Sequence, residues 1–134
     1  MWNLINSKDS VIALYNGVLP QFQDVTIQEL SIITGEDIEL DIRFDTCEMP
    51  SPLPLKWKAQ EVNTIQFIIG CVGVKFNKFA INSGFTTHTS VYITTIGSKK
   101  QLTIQKSDGT IGIQIETAWI YVKSMTGYCS TTLS

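Results

Sequence analysis

A mainly β domain with one short helix near its N-terminus is the fold class this 134-residue sequence predicts. Two observations carry that expectation. From Val25 onward the apolar residues recur with a period of two, the repeat of a strand with one buried face. Short turn signals (Thr34-Gly35, Asn82-Ser83-Gly84, Gly97-Ser98 and Asp108-Gly109) then divide that pattern into strand-length pieces.

The helix comes first. Ser7 is placed to cap it, Asp9 favours its positive end, and Val11, Leu14 and Tyr15 share a face. Gly17 stands where a left-handed C-cap is expected, and Pro20 forbids continuation. About ten residues are too few to be stable alone, so this helix must pack on a sheet.

The first strand, Val25 to Ile33, changes phase between Ile27 and Leu30, which predicts a bulge near Gln28-Glu29. The next alternates without a break. Ile38, Leu40, Ile42 and Phe44 fall on one face, and Glu39, Asp41, Arg43 and Asp45 on the other. Pro50-Ser51-Pro52-Leu53-Pro54 cannot pair as a central strand and reads as a loop, with Trp57 anchoring its end on the sheet. The pattern resumes from Thr64 through Phe76, where Gly70 and Gly73 mark a bend or bulge. Further strands are expected over 90–96, 99–106, 111–115 and 118–125. In the last, Trp119 and Tyr121 alternate with Ile120 and Val122, and two apolar faces predict a buried central strand. Seven or eight sequential strands with short links predict an antiparallel meander curled into a sandwich or open barrel. The chain is expected to form a single domain over residues 1–134, large enough for a real core.

Composition narrows the function. The N-terminal residues lack a basic start followed by an apolar stretch, and no apolar run is long enough to cross a bilayer, so neither a secretory signal nor a membrane partner is expected. Cys47, Cys71 and Cys129 are odd in number and widely spaced, which predicts reduced thiols in a cytoplasm, with Cys71 buried. Charge is unevenly distributed. Residues 1–55 carry Asp9, Asp24, Glu29, Glu36, Asp37, Glu39, Asp41, Asp45 and Glu48 against Lys8 and Arg43. Residues 56–134 carry Lys56, Lys58, Lys75, Lys78, Lys99, Lys100, Lys106 and Lys123 against Glu61, Asp108 and Glu116.

Catalytic machinery is not evident. His88 is the single histidine, in a polar stretch with no Gly-x-Ser-x-Gly motif, and reads as a loop or strand-end residue. Ligand spacings for zinc or calcium are missing, as are phosphate-binding glycine loops, so no metal or cofactor is expected. Lys56-Trp57-Lys58 with Lys99-Lys100 could mark a basic patch, but the overall acidic balance and the lack of a nucleic-acid-binding signature argue against a nucleic-acid partner. The acids between Glu36 and Glu48 alternate outward, where neither burial nor a pocket would tune a glycosidase-like pair.

Several segments, in order along most of the chain, resemble the immunity protein 50 family. They are Leu19-Pro20-Gln21-Phe22-Gln23-Asp24, Ile42-Arg43-Phe44-Asp45, Pro52-Leu53-Pro54-Leu55-Lys56-Trp57, Asn63-Thr64-Ile65-Gln66-Phe67 and Ala118-Trp119-Ile120-Tyr121-Val122-Lys123-Ser124. The resemblance implies a small cytoplasmic protein that protects a bacterium from a cognate toxin domain of a polymorphic toxin system. It carries over no functional residues, and a Trp-Glu pair described for the family does not occur here.

The combined expectation is a non-enzymatic protein that binds a toxin domain, such as a nuclease, through Glu36, Asp37, Glu39, Asp41, Asp45 and Glu48. Charge changes on that outward face are expected to leave folding nearly intact. The same acids would equally serve to keep an outer strand soluble. The alternative is a small-ligand-binding barrel or sandwich with Trp, Tyr and Phe as pocket walls, for which an internal cavity is the distinguishing feature.

Overall fold

The computed structural model describes residues 1–130. Eight strands form two four-stranded antiparallel sheets: β1 (Thr26–Ile33), β2 (Glu39–Thr46), β3 (Thr64–Val72), β4 (Lys75–Phe79), β5 (Thr89–Ile96), β6 (Lys99–Lys106), β7 (Ile111–Thr117) and β8 (Trp119–Tyr128). The first sheet has the order β1-β2-β3-β8 and the second β4-β7-β6-β5. Of the two architectures expected, the sandwich is the one found.

The meander is broken where the chain changes sheet. Val72 ends β3 in the first sheet and Lys75 begins β4 in the second, with Gly73 between them at φ 70°. A side chain is strained at that φ, so glycine fits this turn. The chain returns at Ala118, and β8 pairs with β3. Gly70 proves to mark something else: it lies within a regular pairing to Asp41 and Tyr121, and the Tyr121 ring lies against it. The bulge expected near Gln28-Glu29 is present as a register shift between Ile27 and Glu29.

The first helix, α1, spans Asp9–Tyr15 and differs from expectation at both ends. Ser7 has φ 57°, Lys8 takes the N-cap position, and no side chain caps the helix. Gly17 is left-handed as expected, at φ 81°, but Asn16 before it, at φ 55°, takes the C-cap position, and the Gly17 amide closes the helix onto the Ile12 carbonyl at 3.1 Å. A second helix, α2 (Leu55–Ala59), follows the proline loop. It sets the half-buried Trp57 ring against Gly127.

Inward residues of both sheets fill the interior: Leu40, Ile42, Phe44, Ile65, Phe67 and Ile69 from the first, Leu102, Ile104, Ile113 and Ile115 from the second. Phe22 joins them from the segment before β1, with its ring 4.8 Å from Phe44 and 5.1 Å from Phe67 in edge-on contacts. Burial of each such side chain contributes about 1.5–3 kcal/mol. That offsets the cost of holding Phe22 at φ 54°, a conformation bulky residues rarely adopt.

β8 is an edge strand, not the buried central strand expected from its apolar alternation. Ile120 and Val122 do point into the core, but Trp119 on the outer face is 51% exposed. The edge is covered at one point by the N-terminal segment, where Asn6 donates to the Ile120 carbonyl and accepts from the Val122 amide.

Candidate functional site

The two sheets separate the charges. Strands of the first sheet carry Glu29, Glu39, Asp41 and Asp45 against Arg43 and Lys123, with Glu36 and Asp37 in the β1–β2 turn. Strands of the second carry Lys75, Lys78, Lys99, Lys100 and Lys106 against Glu116. The uneven distribution along the sequence thus becomes an uneven surface, because β1 and β2 sit together on one side of the sandwich.

The six acids singled out by sequence are spread over more than one place. Glu36 and Asp37 are exposed in the turn, and neither makes an ion pair or hydrogen bond among the described residues. Glu39, Asp41 and Asp45 follow along β2, and the distance from the first to the last is about 20 Å at the rise of an antiparallel strand. Glu48 is a structural residue. Its carboxylate accepts the Gln21 amide at 3.0 Å through both oxygens, and its carbonyl accepts the Tyr15 hydroxyl at 2.6 Å. Burial, and then the Glu48 charge, raise the Tyr15 hydroxyl far above the usual phenol range.

Asp41 and Asp45 are also built into the fold. Asp41 Oδ2 accepts from Lys123 Nζ at 2.6 Å, its side chain only 18% exposed, and its other oxygen is buried without a partner. The hydrogen bond to Asp41 is the main cause that raises the Lys123 ammonium above its ordinary value. Asp45 accepts from Gln66 Nε2 at 3.0 Å, from Gln28 Nε2 at 2.9 Å and from the Tyr128 hydroxyl. Burial, and then that bond to Asp45, push the Tyr128 hydroxyl up to about 12. The expectation that charge changes anywhere on this face spare the fold therefore narrows to Glu36 and Asp37, and to Glu39, which forms no ion pair among the described residues.

At the Asp45 end the outer face deepens into an open groove of about 530 Å³. Thr26, Gln28, Asp45 and Thr64 line it along the sheet, Asp24, Thr87 and His88 on the β1 side, and Tyr128 and Ser130 on the β8 side. The Asp24 carboxylate meets His88 Nδ1 at 2.8 Å, both side chains well exposed. An aspartate that orients a histidine is one part of a hydrolytic site, but a nucleophile must then reach the histidine. Cys47 lines the same groove and makes no hydrogen bond to His88. Among the described residues no group of three or more His, Cys, Asp or Glu is placed to hold a metal ion. The groove lies outside the sandwich, whose interior is filled by Phe22, Phe44, Phe67 and their aliphatic neighbours.

At the opposite end apolar side chains flank a single acid. Register aligns Ile33, Glu39, Val72 and Trp119 in one row across four strands, and Tyr121 follows in the next row. Lys100 Nζ stands 5.5 Å above the Trp119 ring. Sequence reasoning missed this patch, because outward aromatics on a strand of unknown position read as buried. It also missed Tyr128 and Gln66, whose link to Asp45 depends on pairing between distant segments.

These features define a class: a β-sandwich that presents a charged face with a groove at one end and an aromatic row at the other, an arrangement suited to binding. The model of one family, immunity protein 50, matches residues 7–128, and the chain belongs to that family. No curated protein and no solved structure matches it. An immunity protein implies a partner toxin and a role that is not enzymatic. No helix among the described residues is long and apolar enough to cross a membrane.

Proposed function

We propose that this chain neutralises a cognate bacterial toxin domain by binding it, with the outer face of the β1-β2-β3-β8 sheet laid over a basic toxin surface. The observation that carries this reading is the separation of charge between the two sheets, taken together with the family. A toxin that cleaves nucleic acid must present cations to phosphates, and an acidic sheet face competes for those same cations. Complementary charge also speeds encounter, an advantage when a toxin must be captured before it acts. Protection of the producing cell places this action in the cytoplasm. Glu36, Asp37 and Glu39 supply steering charge, Asp41 and Asp45 supply fixed charge, and Glu48 acts indirectly by holding the segment before β1. The filled interior supports a protein-binding role over the small-ligand alternative.

The test is co-expression with candidate toxin domains taken from the genes that neighbour the one for this chain. The native chain should restore growth. The double variant Glu36→Lys, Asp37→Lys should melt at the native temperature yet associate about tenfold or more slowly and protect poorly. Undiminished protection by that folded variant would remove the acidic turn from the mechanism. Failure of the native chain to protect would remove the toxin reading itself.

A further inference from the structure

Charge explains how a partner approaches, but it leaves the aromatic end of the face without a role. Trp119 is 51% exposed and Ile33 46% exposed on paired strands, in the same row as the half-buried Val72. Tyr121 extends the patch and lies against Gly70, where an added Cβ would stand 2.7 Å from its ring. The fold derives little from these exposed surfaces, since burial, not mere presence, stabilises an apolar side chain. Tryptophan and tyrosine are also the residues that most often dominate binding energy when a partner covers them.

We propose that the Ile33–Val72–Trp119 row, with Tyr121, is the anchoring centre of the toxin interface. Its occupant is a protein surface that is apolar where it meets Val72 and Trp119 and basic where it meets Glu36, Asp37 and Glu39. This rests on the toxin-neutralising reading above. Charge complementarity selects the occupant. Glu36 and Asp37 are unpaired, Glu39 sits between Ile33 and Val72, and the neighbouring Lys123 is already engaged by Asp41. A second copy docked through this same face would add to that acidic surplus, whereas a basic domain would neutralise it. Lys100, on the Trp119 side, then fixes the orientation of the partner.

The experiment uses the full chain and an inactivated form of the toxin domain that it protects against in the growth test, with dissociation followed by interferometry. Trp119→Ala should weaken the complex about tenfold or more, chiefly by faster dissociation. Ile33→Thr, which keeps a β-branched residue in the strand, should weaken it severalfold. Tyr92→Ala, at a 41% exposed aromatic on the other sheet, should change nothing. Complex formation should also shift tryptophan emission to the blue in the native chain and not in Trp119→Phe, because Trp2 is already buried and Trp57 packs on Gly127, at the far end of β8 from the row. Native-like affinity in both Trp119→Ala and Ile33→Thr would overturn the anchor while leaving the toxin reading intact. Should Trp119→Ala fail to fold, Ile33→Thr decides the matter. Sedimentation that shows the chain alone pairing through Trp119 would assign the row to a second copy and overturn the proposed occupant. No complex with the native chain would remove both readings.

Discussion

Asp41 and Asp45 stand four residues apart on the same face of β2, and the sequence offers no way to tell them apart. Their surroundings do. Asp41 is held by a lysine from β8 and keeps one oxygen buried without a partner, while Asp45 collects two glutamine amides and a phenol at the groove. The cysteines differ in the same way. Cys71 is fully buried on β3, and burial, followed by the Asp41 charge, pushes its thiol up to about 12. Cys47 and Cys129 are exposed. Since the thiolate is the reactive form, a thiol reagent near neutral pH should label Cys47 and Cys129 quickly and Cys71 only on unfolding. Titration under denaturing, non-reducing conditions should count all three; a count of one would mean that a disulfide had formed.

β8 shows how an element's role depends on its neighbours. Its pattern correctly assigns Ile120 and Val122 to the core, yet its position at a sheet edge leaves Trp119 half in solvent. The Tyr121 ring rests on Gly70 of β3, so Gly70→Ala should destabilise the fold by about 1–3 kcal/mol by forcing the ring away. In a Tyr121→Ala background the same change should cost little, a coupling that urea denaturation of the four combinations would measure. Equal costs in both backgrounds would mean that the ring is not the obstacle. The same contrast explains what could be read from the sequence. Alternation along Glu39–Asp45 and the phase change at Gln28 are local, and both were legible. The change of sheet at Gly73 and the reach of Tyr128 to Asp45 depend on which strands pair across more than forty residues, and no local pattern carries that information. α2 went unread because five residues beside a proline loop give too short a period. Of the candidate site, the acids were legible, but not which of them the fold had already engaged.

Across the whole molecule, two sheets of opposite charge enclose one filled core, and the acidic sheet also carries the aromatic row. Electrostatic steering and apolar anchoring would then act on one surface, charge setting the rate of approach and burial of Trp119 setting the lifetime. The central claim is that this outer face, and not the lysine-bearing sheet behind it, meets the toxin. Backbone amide chemical shifts of the isotopically labelled chain, followed while an inactivated toxin domain is added, test it most directly. The account predicts that the largest changes fall on Ile33 to Glu39, Val72, Trp119 and Tyr121, with Tyr92, Thr103 and Gln114 on the opposite sheet unmoved. Changes concentrated on Tyr92, Thr103 and Gln114, with the Trp119 row unmoved, would contradict it.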